Sequence, residues 1–179
     1  MDYFGDGDRW GVSIEYIVEP HRLGTGGSLA YLALKNDLPI IVANADLITD
    51  LDYRRVLANH QQTPETLVTM CTRQAQFQVP YGVVDVSGDK VTAVTEKPTQ
   101  SVRISAGMYA ILPELIAYIE KGEQVDMPDL IQRVIEQGGQ VSHIIDTTVV
   151  VVTASAGSVP ERRNRRDPAH GRGLARRRL

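Results

Sequence analysis

Residues 39–46 read Pro39-Ile40-Ile41-Val42-Ala43-Asn44-Ala45-Asp46. The apolar residues form a short continuous run, which is typical of a strand buried on both faces of a parallel sheet. Asp46 follows the run, at the carboxyl end of the predicted strand, where ligands bind in open α/β sheets. We therefore predict an α/β protein with a ligand site beside this strand.

Predicted strands and helices alternate on both sides of this segment. Strands are predicted at residues 12–18, 66–72, 105–112 and 141–145, and helices at residues 28–35, at residues 53–60, from Pro113 and from Met127. The turn signature Ser87-Gly88-Asp89 separates residues 82–86 from 91–96 and predicts a hairpin. Asp52 is a candidate N-cap for the helix that begins at Tyr53. This order predicts an α/β/α sandwich with a mostly parallel central sheet and one local antiparallel hairpin.

Composition excludes several classes of protein. The chain has 179 residues, of which 42% are hydrophobic, so one domain with a real core is expected. Cys71 is the only cysteine, which excludes a disulfide-stapled mini-protein. No apolar run approaches the roughly 20 residues of a membrane-spanning helix, and the acidic, glycine-rich start does not resemble a signal peptide. We expect a soluble cytoplasmic protein with no membrane partner.

Three segments that follow predicted strands could carry chemistry. Leu23-Gly24-Thr25-Gly26-Gly27 leads into a predicted helix and could bind a phosphate or the edge of a nucleobase, or could be only a tightly packed turn. Asn44-Ala45-Asp46 could hold Mg²⁺, which often takes one or two protein carboxylates, or Asp46 could be a turn residue. Glu96-Lys97-Pro98 could bind sugar hydroxyls and a phosphate, or could be a solvated ion pair.

Taken together and in order, five motifs resemble those of the sugar-phosphate nucleotidylyltransferases, also called nucleoside-diphosphate-sugar pyrophosphorylases. They are Glu19-Pro20-x-x-Leu23-Gly24-Thr25-Gly26-Gly27-Ser28-Leu29, Asn44-Ala45-Asp46-Leu47-Ile48-Thr49-Asp50, Tyr81-Gly82-Val83, Glu96-Lys97-Pro98 and Ser105-Ala106-Gly107-Met108-Tyr109. The resemblance runs from about residue 3 to residue 146. It implies a Rossmann-like three-layer sandwich of the GT-A-like nucleotide-diphospho-sugar transferase type.

The resemblance also implies a reaction and its participants. A sugar 1-phosphate would attack a nucleoside triphosphate in the presence of Mg²⁺, giving a nucleotide-sugar and pyrophosphate. A homo-oligomer is possible. The implied site residues are Glu19 and Gly24 at the base, Gly82, Glu96 and Gly107 along the sugar, Asp46 as metal ligand and catalytic residue, and Lys97 as catalytic residue at the sugar's phosphate. Ala45 stands where the family usually has glycine.

Two motifs of the family have no counterpart in the sequence. The family opens with a glycine-rich loop that bears an arginine and precedes a Lys-Pro, and it later carries a Trp-x-Asp-x-Gly whose aspartate is a second metal ligand. The only tryptophan here is Trp10. We therefore expect residues 1–150 to be a partial, incomplete nucleotidyltransferase domain with weak or no activity. The alternative is a non-catalytic domain that binds a sugar-nucleotide or regulates an enzyme.

The last 29 residues differ in charge from the rest. Residues 1–150 hold 11 Lys or Arg against 20 Asp or Glu, whereas residues 151–179 hold eight Arg against two acids. A tail translated in a shifted reading frame is the interpretation we favour, because out-of-frame GC-rich DNA encodes Arg, Ala, Gly and Pro. A solvated, disordered tail without a role is the second interpretation. A basic arm for nucleic acid is the least favoured, since no aromatic residue is present to stack on bases.

Overall fold

The computed structural model describes residues 3–34, 36–145 and 150–151. The elements, in chain order, are β1 (Ile40–Ala43), β2 (Leu47–Ile48), α1 (Tyr53–Gln61), β3 (Thr66–Gln78), β4 (Val83–Ser87), β5 (Lys90–Thr95), β6 (Thr99–Ile111), α2 (Met127–Glu136), β7 (Gln140–Ile145) and β8 (Val150–Val151). Short 3₁₀ helices occupy Asp8–Trp10, Gly27–Tyr31 and Pro113–Tyr118.

The main sheet has four strands in the order β1-β6-β3-β7. β6 is antiparallel to both β1 and β3, while β7 is parallel to β3. Three of the four strands therefore run in one direction and β6 alone opposes them, which confirms the predicted, mostly parallel sheet. β2 pairs with β8, and β4 pairs with β5, each as a separate two-stranded antiparallel ribbon.

A hydrophobic cluster covers each face of the main sheet. Leu130 and Val134 of α2 pack with Val68 on one face. On the other face, Val56 of α1 packs with Met108. Helices on both sides of a sheet make a three-layer sandwich, as the sequence predicted.

The segment from which the fold was inferred contacts both clusters. Ile40 and Val42 pack against the α2 cluster, and Ile41 packs against the α1 cluster. Both faces of β1 are thus covered, which is why its sequence is continuously apolar. Its neighbour is the antiparallel strand β6, however, so the expectation of parallel neighbours for β1 was wrong.

Capping residues explain the bounds of the two helices. The Asp52 side chain accepts a hydrogen bond from the Arg54 N–H, which confirms the predicted N-cap of α1. α2 begins with Met127 and Pro128, and proline suits this position because the first-turn N–H groups have no partner within the helix. Gly138 has φ +81°, a left-handed conformation that ends helices.

Two predicted elements are absent, and the helix predicted from Pro113 forms only as the 3₁₀ helix Pro113–Tyr118. Residues 12–18 form no strand, and Val12, Tyr16 and Val18 are exposed, so their alternation does not reflect a buried sheet face. Residues 28–35 were predicted to be a helix, but only the 3₁₀ helix Gly27–Tyr31 forms and the chain is extended by Leu32. The strong helix formers there are overridden by the packing of the preceding glycines, and intrinsic propensity is a weak determinant.

The distal halves of β3 and β6 leave the main sheet as a two-stranded ribbon. Their register runs from the pair Thr72 and Ser105 to the pair Gln78 and Thr99, and the β4–β5 hairpin follows at the tip. We call residues 73–104 the arm. No arm residue belongs to either core cluster among the described residues.

Part of the chain lies outside this description. Of the predicted tail, residues 152–179 fall beyond the described residues. Within the portion that the structure describes, no helix has the length and apolar character needed to cross a membrane.

Candidate active site

The glycine-rich segment of residues 23–27, which we call the glycine loop, lies directly against the residues that precede α2. Val125 N–H donates to Leu23 O at 2.9 Å, and Gly26 N–H donates to Val125 O at 2.9 Å. Gly24 has φ +76°, and a Cβ there would lie 2.6 Å from Val125 O. Close backbone approach therefore explains why this loop needs glycine, independently of any ligand.

Thr25 and Asp126 join the tip of the glycine loop to α2. Asp126 Oδ1 accepts from the Thr25 N–H at 2.8 Å and from the Thr25 hydroxyl at 3.2 Å. The Thr25 Oγ1 in turn accepts from the Met127 N–H at 2.9 Å. Thr25 thus satisfies a free N–H of the helix start that the Asp126 side chain leaves unsatisfied.

Glu19 lies at the entrance to the glycine loop. Its Oε2 accepts from the Leu23 N–H at 3.2 Å, and the side chain of Leu23 is fully buried. The Glu19 carboxylate therefore shapes the first turn of the loop.

A bulge in β6 presents Gly107 at the end of β1. Met70 pairs with Tyr109 and Thr72 pairs with Ser105, so three residues of β6 lie opposite one residue of β3. Gly107 has φ +71° and its O accepts from the Asn44 N–H at 2.9 Å. Bulges of this kind interrupt strand pairing and often lie next to active sites.

A cleft of about 330 Å³ opens where these elements meet. Its lining residues come from the glycine loop, the end of β1, the bulge and the start of α2, and they are Thr25, Asn44, Ser105, Ala106, Gly107, Tyr109, Asp126 and Pro128. The Tyr109 hydroxyl lies 3.0 Å from the Ser105 Oγ, and Tyr109 is only 3% exposed. Asp46 follows Asn44 by two residues and its side chain is exposed.

The remaining candidate residues meet at the base of the hairpin. A Cβ on Gly82 would lie 3.2 Å from Glu96 Oε2. The Lys97 N–H donates to Tyr81 O at 3.3 Å, and the Lys97 ammonium lies 3.8 Å from Glu96 Oε1. Lys97 has φ +45°, a conformation that costs a residue other than glycine free energy and that clusters at functional sites.

The chain was compared with known proteins. The model of the family described as nucleotidyl transferase matches residues 1–149. The chain belongs to this family.

Two curated relatives of the chain have named activities. A mannose-1-phosphate guanylyltransferase of Mycobacterium tuberculosis is 32% identical over 130 residues, which are 69% of this chain and 35% of the relative. A UTP–glucose-1-phosphate uridylyltransferase of Synechocystis is 31% identical over 157 residues, which are 76% of this chain and 40% of the relative. The chain therefore spans between a third and two fifths of the length of these relatives.

A solved structure has a similar fold. HddC from Yersinia pseudotuberculosis, complexed with GMP-PN, superposes with a TM-score of 0.54 at 19% sequence identity, covering 84% of this chain and 66% of HddC. At this identity the likeness concerns the fold alone. It agrees with the Rossmann-like sandwich that the sequence predicted.

The candidate residues fall into two groups. Glu19, Gly24 and Gly107 lie around the cleft, with Asp46 close by in sequence, whereas Gly82, Glu96 and Lys97 lie on the arm. The sequence assigns all seven to one site, and the structure places them on two parts of the fold, the elements around the cleft and the arm.

Ser105, Tyr109 and Asp126 line the cleft but were given no role from the sequence. Ser105 and Tyr109 are four positions apart in a predicted strand, and only the bulge explains their contact. Asp126 is 101 residues from Thr25, so no local pattern could have paired them. The described residues contain no group of three or more acidic, His or Cys side chains arranged to hold a metal ion.

Proposed function

We propose that this domain takes part in the transfer of a nucleotidyl group to a sugar 1-phosphate. An oxygen of the sugar phosphate would attack the α-phosphorus of a nucleoside triphosphate. The bond from that phosphorus to the bridging oxygen would break, and pyrophosphate would leave with the bonding electrons. The names of two relatives, a guanylyltransferase and a uridylyltransferase that use sugar 1-phosphates, support this reaction class.

The observation that carries the proposal is the convergence of Gly82, Glu96 and Lys97. Tyr81-Gly82 and Glu96-Lys97-Pro98 are distant in sequence but adjacent in space, with Lys97 in a left-handed conformation. Such an arrangement fixes an exposed ammonium beside a carboxylate and an open glycine. The ammonium would neutralise a phosphate, and the carboxylate would accept hydrogen bonds from sugar hydroxyls.

The cleft is the proposed place of the nucleotide. Glu19 and Gly24 would contact the base through the glycine loop, and Gly107 would line the sugar. A 330 Å³ opening is within the size range of small-molecule sites.

Mg²⁺ is the metal that the family implies, and Asp46 fits it as a single hard oxygen ligand. Magnesium is commonly held by one or two carboxylates together with substrate phosphates, so one exposed aspartate beside the cleft is compatible with that mode. When bound, Mg²⁺ would neutralise charge on the triphosphate. Asp46 would orient the ion, and Lys97 would hold the phosphate of the sugar.

Weak turnover is part of the proposal. Asp46 is the one carboxylate assigned to the metal, and the described residues offer no larger ligand group. Binding should therefore be easier to detect than catalysis. A non-catalytic domain that binds sugar-nucleotides is the second candidate function, favoured by the same observation.

Lys97→Ala tests the proposed function. Binding of GDP-mannose and UDP-glucose is measured by calorimetry, and pyrophosphate release is measured with GTP, UTP, dTTP or CTP and a panel of sugar 1-phosphates. We expect the wild-type chain to bind at least one nucleotide-sugar and Lys97→Ala to bind it about tenfold or more weakly, because a charged hydrogen bond is lost.

Lys90→Ala is the matched control, since Lys90 is an exposed lysine on the same hairpin. It should bind as the wild type does. Equal binding by Lys97→Ala and wild type would contradict the assignment of Lys97. Binding without pyrophosphate release would favour the non-catalytic domain over the enzyme.

A further inference from the structure

We propose that Asp126 and Thr25 are positioning residues that hold the tip of the glycine loop in the conformation that binds the nucleotide. The inference rests on the proposed function, because it concerns the same cleft. It assigns a role to an aspartate that no sequence motif singled out.

The first step is the hydrogen bonding of the loop tip. Leu23 and Gly26 flank Thr25, and each bonds to the backbone of Val125. The N–H and hydroxyl of Thr25 both donate to one oxygen of Asp126. Among the described residues, Asp126 is thus the partner that fixes Thr25, while backbone bonds fix its neighbours.

The second step concerns charge and geometry. Hydrogen bonds to a carboxylate are stronger than those between neutral groups, and two donors converging on one oxygen define its direction. The Thr25 hydroxyl also accepts a hydrogen bond from the Met127 N–H at 2.9 Å, so that Thr25 is bonded to both Asp126 and Met127. These hydrogen bonds join Thr25, at the loop tip, to Asp126 and Met127 at the start of α2.

The third step separates positioning from folding. Helix α2 is held in the core by Leu130 and Val134, and the Leu130 N–H bonds to the Asp126 backbone O at 3.0 Å. Neither Thr25 nor Asp126 belongs to a core cluster. Loss of the pair should free the loop tip while leaving the helix and the sheet in place.

The fourth step links the pair to the ligand. Thr25 and Asp126 both line the cleft, together with Gly107 of the bulge. Thr25 lies immediately after Gly24, the residue proposed to contact the base. Movement of Thr25 would displace the backbone of Gly24, and a displaced loop would bind the nucleotide less well.

The experiment measures binding of GTP and UTP by calorimetry to the full chain and its variants. Asp126→Ala removes both hydrogen bonds to Thr25, and we expect it to weaken binding about tenfold. Thr25→Val keeps the backbone N–H donor and removes only the bonds of the hydroxyl, so it should weaken binding less. The double variant should lose less than the two single effects combined, because the bond from the Thr25 hydroxyl to Asp126 is lost in both single variants. Thr25→Ser and Asp126→Asn, which keep the hydroxyl or the acceptor oxygen, should restore most of the affinity.

Asp129→Ala is the matched control. Asp129 is an exposed aspartate in the first turn of the same helix, so its loss removes the same charge near the helix start. It should leave binding unchanged. Amide hydrogen exchange of residues 24–26 should accelerate in Asp126→Ala and not in Asp129→Ala, while the urea midpoint of unfolding stays close to that of the wild type.

Each outcome decides a separate point. If the wild type binds GTP or UTP and Asp126→Ala binds equally well, the pair does not position the loop for nucleotide. Unchanged amide exchange at the loop tip would overturn the positioning role as well. If the wild type binds neither nucleotide nor nucleotide-sugar, the proposed function falls, and the role of the pair falls with it.

Discussion

At the scale of single residues, backbone conformation shapes the cleft more than charge does. Gly107 combines a left-handed φ of +71° with a neighbour so close that a Cβ would lie 2.8 Å from Asn44 Nδ2. Alanine there would be strained by its conformation and by the contact. The bulge that places this glycine at the cleft therefore depends on the absence of a Cβ atom at residue 107.

Gly107→Ala should lower the free energy of unfolding by roughly 1–3 kcal/mol, because both the left-handed conformation and the contact with Asn44 are unfavourable. Urea unfolding measures the change. Gly88→Ala is the control, since Gly88 also has a left-handed φ, +57°, but a Cβ there would meet no atom within 4 Å. An equal loss in both variants would show that the contact with Asn44 adds nothing.

Acid should break one ion pair that does not line the cleft. Arg133 donates to both carboxylate oxygens of Glu123, and these hydrogen bonds lower the pKa of Glu123 to about 2. Since the pKa in the folded chain lies below the ordinary value of 4.5, the pair contributes stability above pH 4.5 and loses it as the pH falls toward 2. Glu123→Gln should therefore flatten the pH dependence of the urea midpoint in this range. An unchanged profile would contradict the assignment.

At the scale of elements, a hydrogen-bonded chain joins α1 to the sheet. His60 Nδ1 lies 2.8 Å from Thr69 Oγ1, which lies 2.7 Å from Ser142 Oγ. Helix α1, β3 and β7 are thereby connected through side chains. His60 is 3% exposed, and its Nε2 finds no hydrogen-bond partner among the described residues.

This histidine should make the fold sensitive to mild acid. Burial lowers the pKa of His60 below its ordinary value of 6.5. In mild acid the unfolded chain therefore binds a proton at this histidine that the folded chain does not bind. Stability should then fall with pH below 6.5, by at most about 1.4 kcal/mol per pH unit from this group. Urea unfolding of wild type and His60→Gln at pH 7.5 and 5.5 provides the measurement. Equal losses of stability in both chains would show that His60 stays neutral or is solvated.

The sequence predicted elements well where local signals and packing agree. α1 has its Asp52 cap, α2 has apolar residues at helical spacing and a terminal glycine, and the hairpin has its turn residues. The prediction of a helix failed at residues 28–35, where helix formers follow glycines that pack against residues 123–127, a segment distant in sequence. Residues 12–18 alternate between apolar and polar side chains, but they pair with no strand among the described residues. Alternation in the sequence does not show whether a segment has a partner strand.

The candidate site was predictable in part, for the same reason. Short motifs made Asp46, Lys97 and the glycines candidates, because the signals that single them out are local. Asp126 and the bulge at Gly107 depend on contacts between segments far apart in sequence, which periodicity does not encode. The division of the residues between the cleft and the arm likewise depends on the long-range pairing of β3 with β6.

At the scale of the whole molecule, the arm and the sandwich are distinct in their packing. The core clusters contain no residue from 73–104, and most side chains of β4 and β5 are exposed. The sandwich supplies stability, and the arm supplies half of the proposed site. The two should therefore respond differently to deletion.

A variant in which Asn-Gly replaces residues 79–98 tests this division. Gln78 and Thr99 are paired across the ribbon, so a two-residue turn can join them. We expect the free energy of unfolding to change by no more than about 1 kcal/mol, while binding of nucleotide-sugar is lost. Leu130→Ala, by contrast, should cost about 2–5 kcal/mol because it empties part of the core. Global unfolding of the shortened chain would refute the division.

The bond between Thr25 and Asp126 also bears on the order in which the chain folds. Its partners are 101 residues apart, whereas β4 and β5 meet across a single tight turn. Closing so long a segment carries an entropic cost that nearby contacts avoid, so the glycine loop should dock after the sheet and α2 have formed. Asp126→Ala should consequently leave the refolding rate almost unchanged, and a small loss of stability would show only as slightly faster unfolding. The proposed nucleotide site would then be the last part of the fold to form, and nucleotide could bind only after the whole sandwich has assembled.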